Sequence, residues 1–546
     1  MQERIQDPTS DDKRPDTLIR QPCPVAEDIA ELVATTPRAG KRRSLVVLAL
    51  VCTFGSLLFG YDTGVIAGAL PYMSLPDAAG GLHLNATETG LVGGLVAIGA
   101  ALGAFYGGKL SDKYGRRHNI LLLAVVFFVG ALGCTFAPNV WLLYLARIVV
   151  GFGVGGASAT VPAYLSENAP KRIRGSLISI DQVMIVFGQF LAYSMNAMIA
   201  RAGGGPEVVV ANDPSGRYAA GSTQSWDLLS GIAGLTVNGG NGDTWRYMLV
   251  LASLPAIALW IGMRKMPESS RWYAANGYWV EAIGALKQVR DESKDDIAAE
   301  ITEMAVLEDE ERATRRWTLR ECWNMKWVRR LLMVGVFICL FDQLTGVNTV
   351  MYYLPTILHA AGFSSASAIE LNVVTGFTSL IGILVGAFVL IPRLPRRTMG
   401  IYQTTAVSIC LILLSVLFFT LIEPHMGAAD VAASIPTFAP WLVLAVVALF
   451  MLFRQSGTIV WVYMGELFPS RARGACQGVA VGALWIMNAI ITFVFPTMVE
   501  SLGAGRTYAI FAAVNVIAVF FFVKFVPETK YESLEELEIR FKKEYS

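Results

Sequence analysis

Charged side chains are scarce in this chain: Asp, Glu, Lys and Arg make up 16% of its 546 residues. Soluble domains carry about 25%, so a surface that faces water on every side is excluded. The charges that are present nearly cancel, at a net +1, which leaves no basic footprint for nucleic acid. Histidine is rarer still, and His83, His118, His359 and His425 stand far apart. The seven cysteines are odd in number, and Cys52, Cys134, Cys339 and Cys410 fall within apolar runs. Neither set has the spacing of a metal site or a disulfide framework. A nucleophile–base pair and a phosphate loop are also missing, so neither an enzyme nor a bound cofactor is expected. Residues 1–43 are polar and have no apolar core of a secretory signal. They read as a mostly disordered cytoplasmic tail.

Apolar sequence is what the chain has in abundance: 54% of its residues are hydrophobic and its mean hydropathy is +0.50. The 51 glycines suit close helix packing in lipid. A helix of about 20 apolar residues crosses a bilayer core of roughly 30 Å. Such runs fall at 45–70, 88–108, 118–137, 140–163, 177–200, 245–264, 331–357, 368–391, 400–422, 438–464, 475–498 and 506–526. The expectation is an all-α membrane protein with twelve transmembrane helices in two six-helix halves, 44–264 and 331–527. Lys and Arg concentrate in alternate loops, among them Lys109, Lys113, Lys171, Arg172, Arg264, Arg393 and Arg471, while the opposite loops hold only Arg201, Arg217, Arg246 and Arg506. The positive-inside bias then puts both termini in the cytoplasm of a multi-pass plasma-membrane protein. Residues 201–244, rich in Gly, Asn and Ser, become a long outside loop. Residues 265–330 are strongly charged and read as a cytoplasmic helical linker, and 528–546 as a short cytoplasmic tail carrying one more helix.

Motifs recur between the halves at a nearly constant offset. Glu167-Asn168-Ala169-Pro170 through Arg174-Gly175 returns as Glu466-Leu467-Phe468-Pro469 through Arg473-Gly474. Pro267-Glu268-Ser269 returns as Pro527-Glu528-Thr529, and Arg116-Arg117 as Arg396-Arg397. Two six-span repeats related along the membrane normal explain the spacing, and they put a binding site at the repeat interface near mid-bilayer. Asp112, Arg116, Arg117, Glu167, Arg174, Glu268, Arg271, Glu466 and Arg473 form a candidate cytoplasmic latch. Pro392-Arg393-Leu394-Pro395-Arg396-Arg397 lacks the Asp112 and Gly115 of its first-half counterpart, so the second latch is expected to be the weaker one.

The run Gly108-Lys109-Leu110-Ser111-Asp112-Lys113-Tyr114-Gly115-Arg116-Arg117, with Pro267-Glu268-Ser269-Ser270-Arg271-Trp272 and Pro527-Glu528-Thr529-Lys530, resembles the signatures of the sugar porter family of the major facilitator superfamily. Phe59-Gly60-Tyr61-Asp62-Thr63-Gly64 and Gln343-Leu344-Thr345-Gly346-Val347-Asn348 resemble it too. The likeness runs from about residue 45 to 530 and is greatest to bacterial proton-linked hexose, pentose and inositol porters. It implies alternating access by a monomer in the lipid bilayer, carrying a sugar or polyol with protons. It also implies that Gln182, Gln343, Asn348, Tyr352, Trp461 and Trp485 bind substrate, with Gln189 and Asn488 as neighbours able to add contacts. Amides donate to and accept from hydroxyls, and indole faces cover the apolar side of a ring.

Ionisable groups at membrane depth are costly and point to function. Asp62 lies 18 residues beyond Ser44, about 27 Å of helical rise. Arg147 lies at matching depth, and the resemblance makes Asp62 the proton carrier with Arg147 its partner. Asp342 and Arg454 depart from the family pattern. Each lies 12 residues from a charged span end, about 18 Å deep, and together they are expected to form an ion pair near the midplane. Leu484 replaces a polar cavity residue of some members, so the exact sugar stays open. A proton-independent uniporter and a transporter-like nutrient sensor are the alternatives.

Overall fold

The structure is a computed structural model that describes residues 24, 26–170, 174–291, 295–313, 317–425, 435–457, 459–532 and 534–545. Twelve of its helices are long and apolar enough to cross a membrane. Spans one to six are Leu45–Met73, Ala86–Tyr114, Arg116–Thr135, Val140–Asn168, Ser179–Gly203 and Thr244–Met263. Spans seven to twelve are Lys326–Ala360, Ser365–Arg393, Arg396–His425, Ala439–Glu466, Arg473–Leu502 and Ala504–Phe525. Several helices run past the apolar stretches into polar sequence. Span two, for example, continues through Lys109, Asp112 and Lys113 to Tyr114, because helical hydrogen bonds persist where hydrocarbon ends.

Within each half, glycine lets backbones touch. A methyl group on Gly60 or Gly64 of span one would strike the Ile185 carbonyl or Ala192 and Gln189 of span five. In the same way Gly103 of span two rests on Phe152 O, and Gly155 of span four on Ala100 O. These contacts bring polar backbone within reach of side chains: Asn196 Nδ2 donates to Gly64 O at 3.2 Å and to Val65 O at 3.1 Å. Small residues that permit such approach are the common glue of helices in lipid.

Two regions depart from expectation. Residues 26–35, expected to be disordered, form a helix, Ala26–Thr35. Its Ile29 is buried against Trp279, Ile283, Leu286, Ile301 and Met304 of the linker helices. Lys287 Nζ donates to Val33 O and Thr36 O, at 2.8 and 2.9 Å, which satisfies carbonyls at the helix end. The 201–244 insertion is not an irregular loop. It folds into a three-stranded antiparallel sheet, β1 (Glu207–Asn212), β2 (Thr223–Ser225) and β3 (Thr236–Gly240), in the order β2-β1-β3. Val208 and Val210 point inward against Leu75, Ala79 and Leu229, the alternation that a half-buried strand requires.

The linker helices dock on both halves. Arg290 binds Glu300 at 2.8 Å and donates to Asn168 O at 2.6 Å at the end of span four. Trp317 N donates to Arg471 O at 3.0 Å. The side of the molecule holding the linker and both terminal helices is the linker side. The opposite side, with the sheet, is the far side.

A polar cavity between the two halves

Two broken helices shape the centre of the molecule. Span seven divides into Lys326–Leu344 and Val347–Ala360, with Gly346 at φ +76° between them. This left-handed position suits glycine, and the break sets Gln343 and Asn348 beside each other. Asn348 Nδ2 donates to Gln343 Oε1 at 2.5 Å. Span ten divides into Ala439–Ser456 and Ile459–Glu466, with Arg454 on one side of the break and Trp461 on the other. Discontinuous helices at a repeat interface are a common way to line a solute site.

A cavity of about 480 Å³ occupies this interface, within the size range of small-molecule sites. Gln182, Gln189, Gln343, Asn348, Tyr352, Trp461, Trp485 and Asn488 all border it. Gln189 Nε2 reaches Met351 Sδ across the interface at 3.1 Å. Trp485 and Phe59 approach with ring centroids 5.9 Å apart, and Trp461 of the lining is 40% exposed. The wall thus offers amide donors and acceptors with indole faces between them.

Four charges predicted at membrane depth form two pairs. Arg147 Nη1 donates to Asp62 Oδ1 at 2.7 Å, and its Nε donates to Val92 O at 3.1 Å. Neither residue borders the cavity, although Thr63 and Tyr352 next to them do. Arg454 Nη2 donates to Asp342 Oδ1 at 2.5 Å. Gln343 Nε2 donates to Asp342 Oδ2 at 3.0 Å, which ties the second pair into the cavity wall. The sequence reading missed a third carboxylate, Asp181, which also borders the cavity.

The halves pack on the far side and part on the linker side. A methyl group on Gly90, Gly93 or Gly94 of span two would strike Phe493, Thr492 or Ala489 of span eleven. At the linker-side ends of the same spans, a methyl group on Gly108, Gly474, Gly478 or Gly482 would meet nothing within 4 Å. Tyr353 Oη donates to Thr492 O at 2.9 Å beneath the seam. The insertion adds a clasp, in which Asp227 accepts from Ser365 N at 2.8 Å and from Ser365 Oγ at 2.5 Å. The cavity therefore opens to the linker side.

The repeated charged motifs build two similar clusters, each inside its own half. Glu167 pairs with Arg116 at 3.1 Å and accepts from Ser269 Oγ, while Arg116 also binds Asp112 at 2.7 Å. Glu268 accepts from the backbone N of Arg117 at 2.9 Å. Gly115 precedes it at φ +97°, where a side chain would also strike the Glu268 carboxylate. In the second half, Glu528 accepts from the backbone N of Arg396 and Arg397, at 2.8 and 2.9 Å. Glu466 accepts from Arg396 at 3.3 Å and from Thr529 Oγ1 at 2.6 Å. The second cluster thus keeps its carboxylate–backbone bonds, with Pro395 where the first has Gly115; what it loses is the charge of Asp112.

Other expected latch members act differently. Arg117 donates to Met263 O at 3.1 Å and to Arg264 O at 2.8 Å, at the end of span six. Arg397 does the same for Val523 O in span twelve. Arg473 reaches Phe468 O at 3.4 Å rather than Glu466. Arg271 buries its Nε without a hydrogen-bond partner, and the Arg174 side chain lies outside the described residues.

Comparison with known proteins agrees with this architecture. Residues 48–541 match the family described as "Sugar (and other) transporter". The major myo-inositol transporter IolT of Bacillus subtilis is 39% identical over 500 residues, covering 91% of this chain and 94% of the relative. The glucose transporter GlcP of Staphylococcus epidermidis is 33% identical, covering 89% and 94%. Among solved structures, the inward open conformation of the xylose transporter XylE from E. coli is 27% identical. It has a TM-score of 0.68 over 91% of this chain and 99% of that one. The proton:xylose symporter XylE bound to 6-bromo-6-deoxy-D-glucose is similar at a TM-score of 0.67, 27% identity and the same coverage.

Proposed function

The chain belongs to the sugar porter family of the major facilitator superfamily, a transporter rather than an enzyme, and on that premise we propose that it imports a sugar or polyol by proton symport. The solute is a hexose, a pentose or myo-inositol, and the protein sits in the plasma membrane with its linker side in the cytoplasm. The observation that carries proton coupling is the buried Asp62–Arg147 pair, 6% and 0% exposed at 2.7 Å. Next to its arginine the carboxylate is favoured in the ionised form; drawn away and still buried, it is favoured in the protonated form. Relative movement of spans one and four therefore loads and unloads a proton at Asp62 Oδ1 as the cavity changes sides. Gln343, Asn348 and Gln182 exchange hydrogen bonds with solute hydroxyls, and Trp485 covers the ring face.

The test is uptake of D-glucose, D-xylose and myo-inositol into proteoliposomes with and without an inward proton gradient. Asp62→Asn is expected to abolish uphill accumulation while leaving exchange between preloaded vesicles and medium. Full accumulation by that variant would remove Asp62 from the coupling, and gradient-independent uptake by the wild type would make the protein a uniporter.

A further inference from the structure

Two carboxylates that this cycle does not use border the cavity, Asp342, which Arg454 holds, and Asp181. Asp181 stands in span five one residue before Gln182, is 1% exposed, and borders the cavity. Its hydrogen-bond partners are neutral: Ser56 Oγ donates to Oδ1, and Gln182 Nε2 donates to Oδ2 at 3.3 Å. The other two aspartates at membrane depth each hold an arginine, Asp62 at 2.7 Å and Asp342 at 2.5 Å. Among the described residues no ion pair includes Asp181. Across the cavity the Arg454 cation is already engaged by Asp342.

A buried carboxylate without a cation is expensive unless hydrogen bonds satisfy its oxygens. An ionised carboxylate offers about four acceptor sites, and the two bonds described fill two of them. The remaining capacity is available to whatever occupies the cavity. Two adjacent hydroxyls of a ring present two O–H donors side by side, a match for the paired oxygens of a carboxylate. The opposite wall is different in kind: Gln343, Asn348 and Asn488 are amides that donate and accept alike, and Asp342 is already held by Arg454. The donors Ser56 and Gln182 favour the ionised form of Asp181, and an ionised carboxylate only accepts, so it discriminates between a hydroxyl and an ether or a missing group.

We propose that Asp181 is a specificity-determining residue whose carboxylate accepts hydrogen bonds from two adjacent hydroxyls of the transported solute. This assignment rests on the cavity being the polyhydroxyl site. It adds a charged acceptor to Gln182 in the first half of the molecule, opposite the amides of the second half. Closing the linker side brings that grip onto a solute already held by span seven, so a correct pair of hydroxyls favours closure.

The experiment uses reconstituted wild type and Asp181→Asn, with D-glucose, D-xylose, myo-inositol and their monodeoxy derivatives. Asn preserves the size of the side chain and an acceptor for Ser56. The variant is expected to raise the half-saturating concentration about tenfold to a hundredfold, the factor that loss of charge-assisted hydrogen bonds implies, with proton dependence unchanged. At least one deoxy derivative that is weakened tenfold or more in wild type should be weakened far less in the variant. An unchanged half-saturating concentration overturns the assignment. So does a variant that keeps its affinity but loses gradient-driven accumulation, which would make Asp181 a proton carrier. If the variant does not assemble, the deoxy series on wild type still decides, because a flat series overturns the proposal. A wild type that carries none of the three parent solutes would refute transport of these solutes itself, a result distinguishable from failure at Asp181 alone.

Discussion

At the scale of single residues, the Asp342–Arg454 pair shows how a charge can be kept in an apolar span. Its side chains are 12% and 7% exposed, and Arg454 Nε is buried without a partner, so the guanidinium depends on Asp342. Removing one member of a buried pair strands the other at a cost of about 3–5 kcal/mol, while removing both is far cheaper. Asp342→Asn and Arg454→Gln alone are each expected to lower thermal stability and uptake at least tenfold, and the charge-reversed double variant to restore part of both. Strictly additive losses in that cycle would mean that the two residues act separately. The pair was legible in the sequence because charges within apolar runs are few and helical rise gives their depth. Asp181 escaped the same reasoning. It lies seven residues beyond Arg174, about 10 Å of rise, where a carboxylate reads as part of the polar end of the helix. Only its place in the cavity lining, against Ser56 of span one, reveals that it borders the interface between the halves rather than headgroups. Glu528 stands outside the expected latch although it repeats Glu268, and it plays the same part, accepting backbone N–H groups from a segment 131 residues earlier.

At the scale of elements, spans were read well and short elements poorly, for one reason. A span carries its signal in its own 20 or so residues, whereas the helix Ala26–Thr35 and the strands β1–β3 are stable only through partners distant in sequence. Ile29, Leu32 and Val33 lie on one face, but ten residues form no stable helix alone; the buried surface comes from Trp279 and Ile283 of the linker. Burial of an isoleucine contributes about 1.5–3 kcal/mol, and a carboxylate in its place adds a desolvation cost. Ile29→Asp is therefore expected to release the helix and speed tryptic cleavage at Arg38 and Lys41 about tenfold or more, with uptake unchanged. Cleavage at the wild-type rate would show that Lys287, with the backbone bonds from Ala39 N to Gly284 O and from Arg43 N to Gln288 O, holds the segment without its apolar face.

At the scale of the whole molecule, a transporter with its cavity open on one side must be able to break the seam on the other. The seam consists of glycine-lined contacts between spans two and eleven, the Tyr353–Thr492 bond, and the Asp227 clasp from an insertion that covers the far side. Among these contacts the clasp is the one with a carboxylate acceptor, and hydrogen bonds to charged partners contribute about 1.5–3 kcal/mol. A two-state equilibrium shifts tenfold for each 1.4 kcal/mol or so, so losing the clasp is enough to move the resting population. A cysteine at Gln477, which borders the open cavity, should react quickly with a membrane-impermeant thiol reagent applied from the linker side. A cysteine at the fully buried Thr492 should be protected from both sides. Asp227→Ala combined with Thr492→Cys is expected to react from the far side at least tenfold faster, while labelling at Gln477→Cys slows. If Asp227→Ala leaves both rates unchanged, glycine packing and the Tyr353–Thr492 bond hold the far side shut without the clasp. Intact cells give the sidedness in the same experiment: Gln477→Cys labelled from outside would place the linker side, and with it both termini, in the external medium.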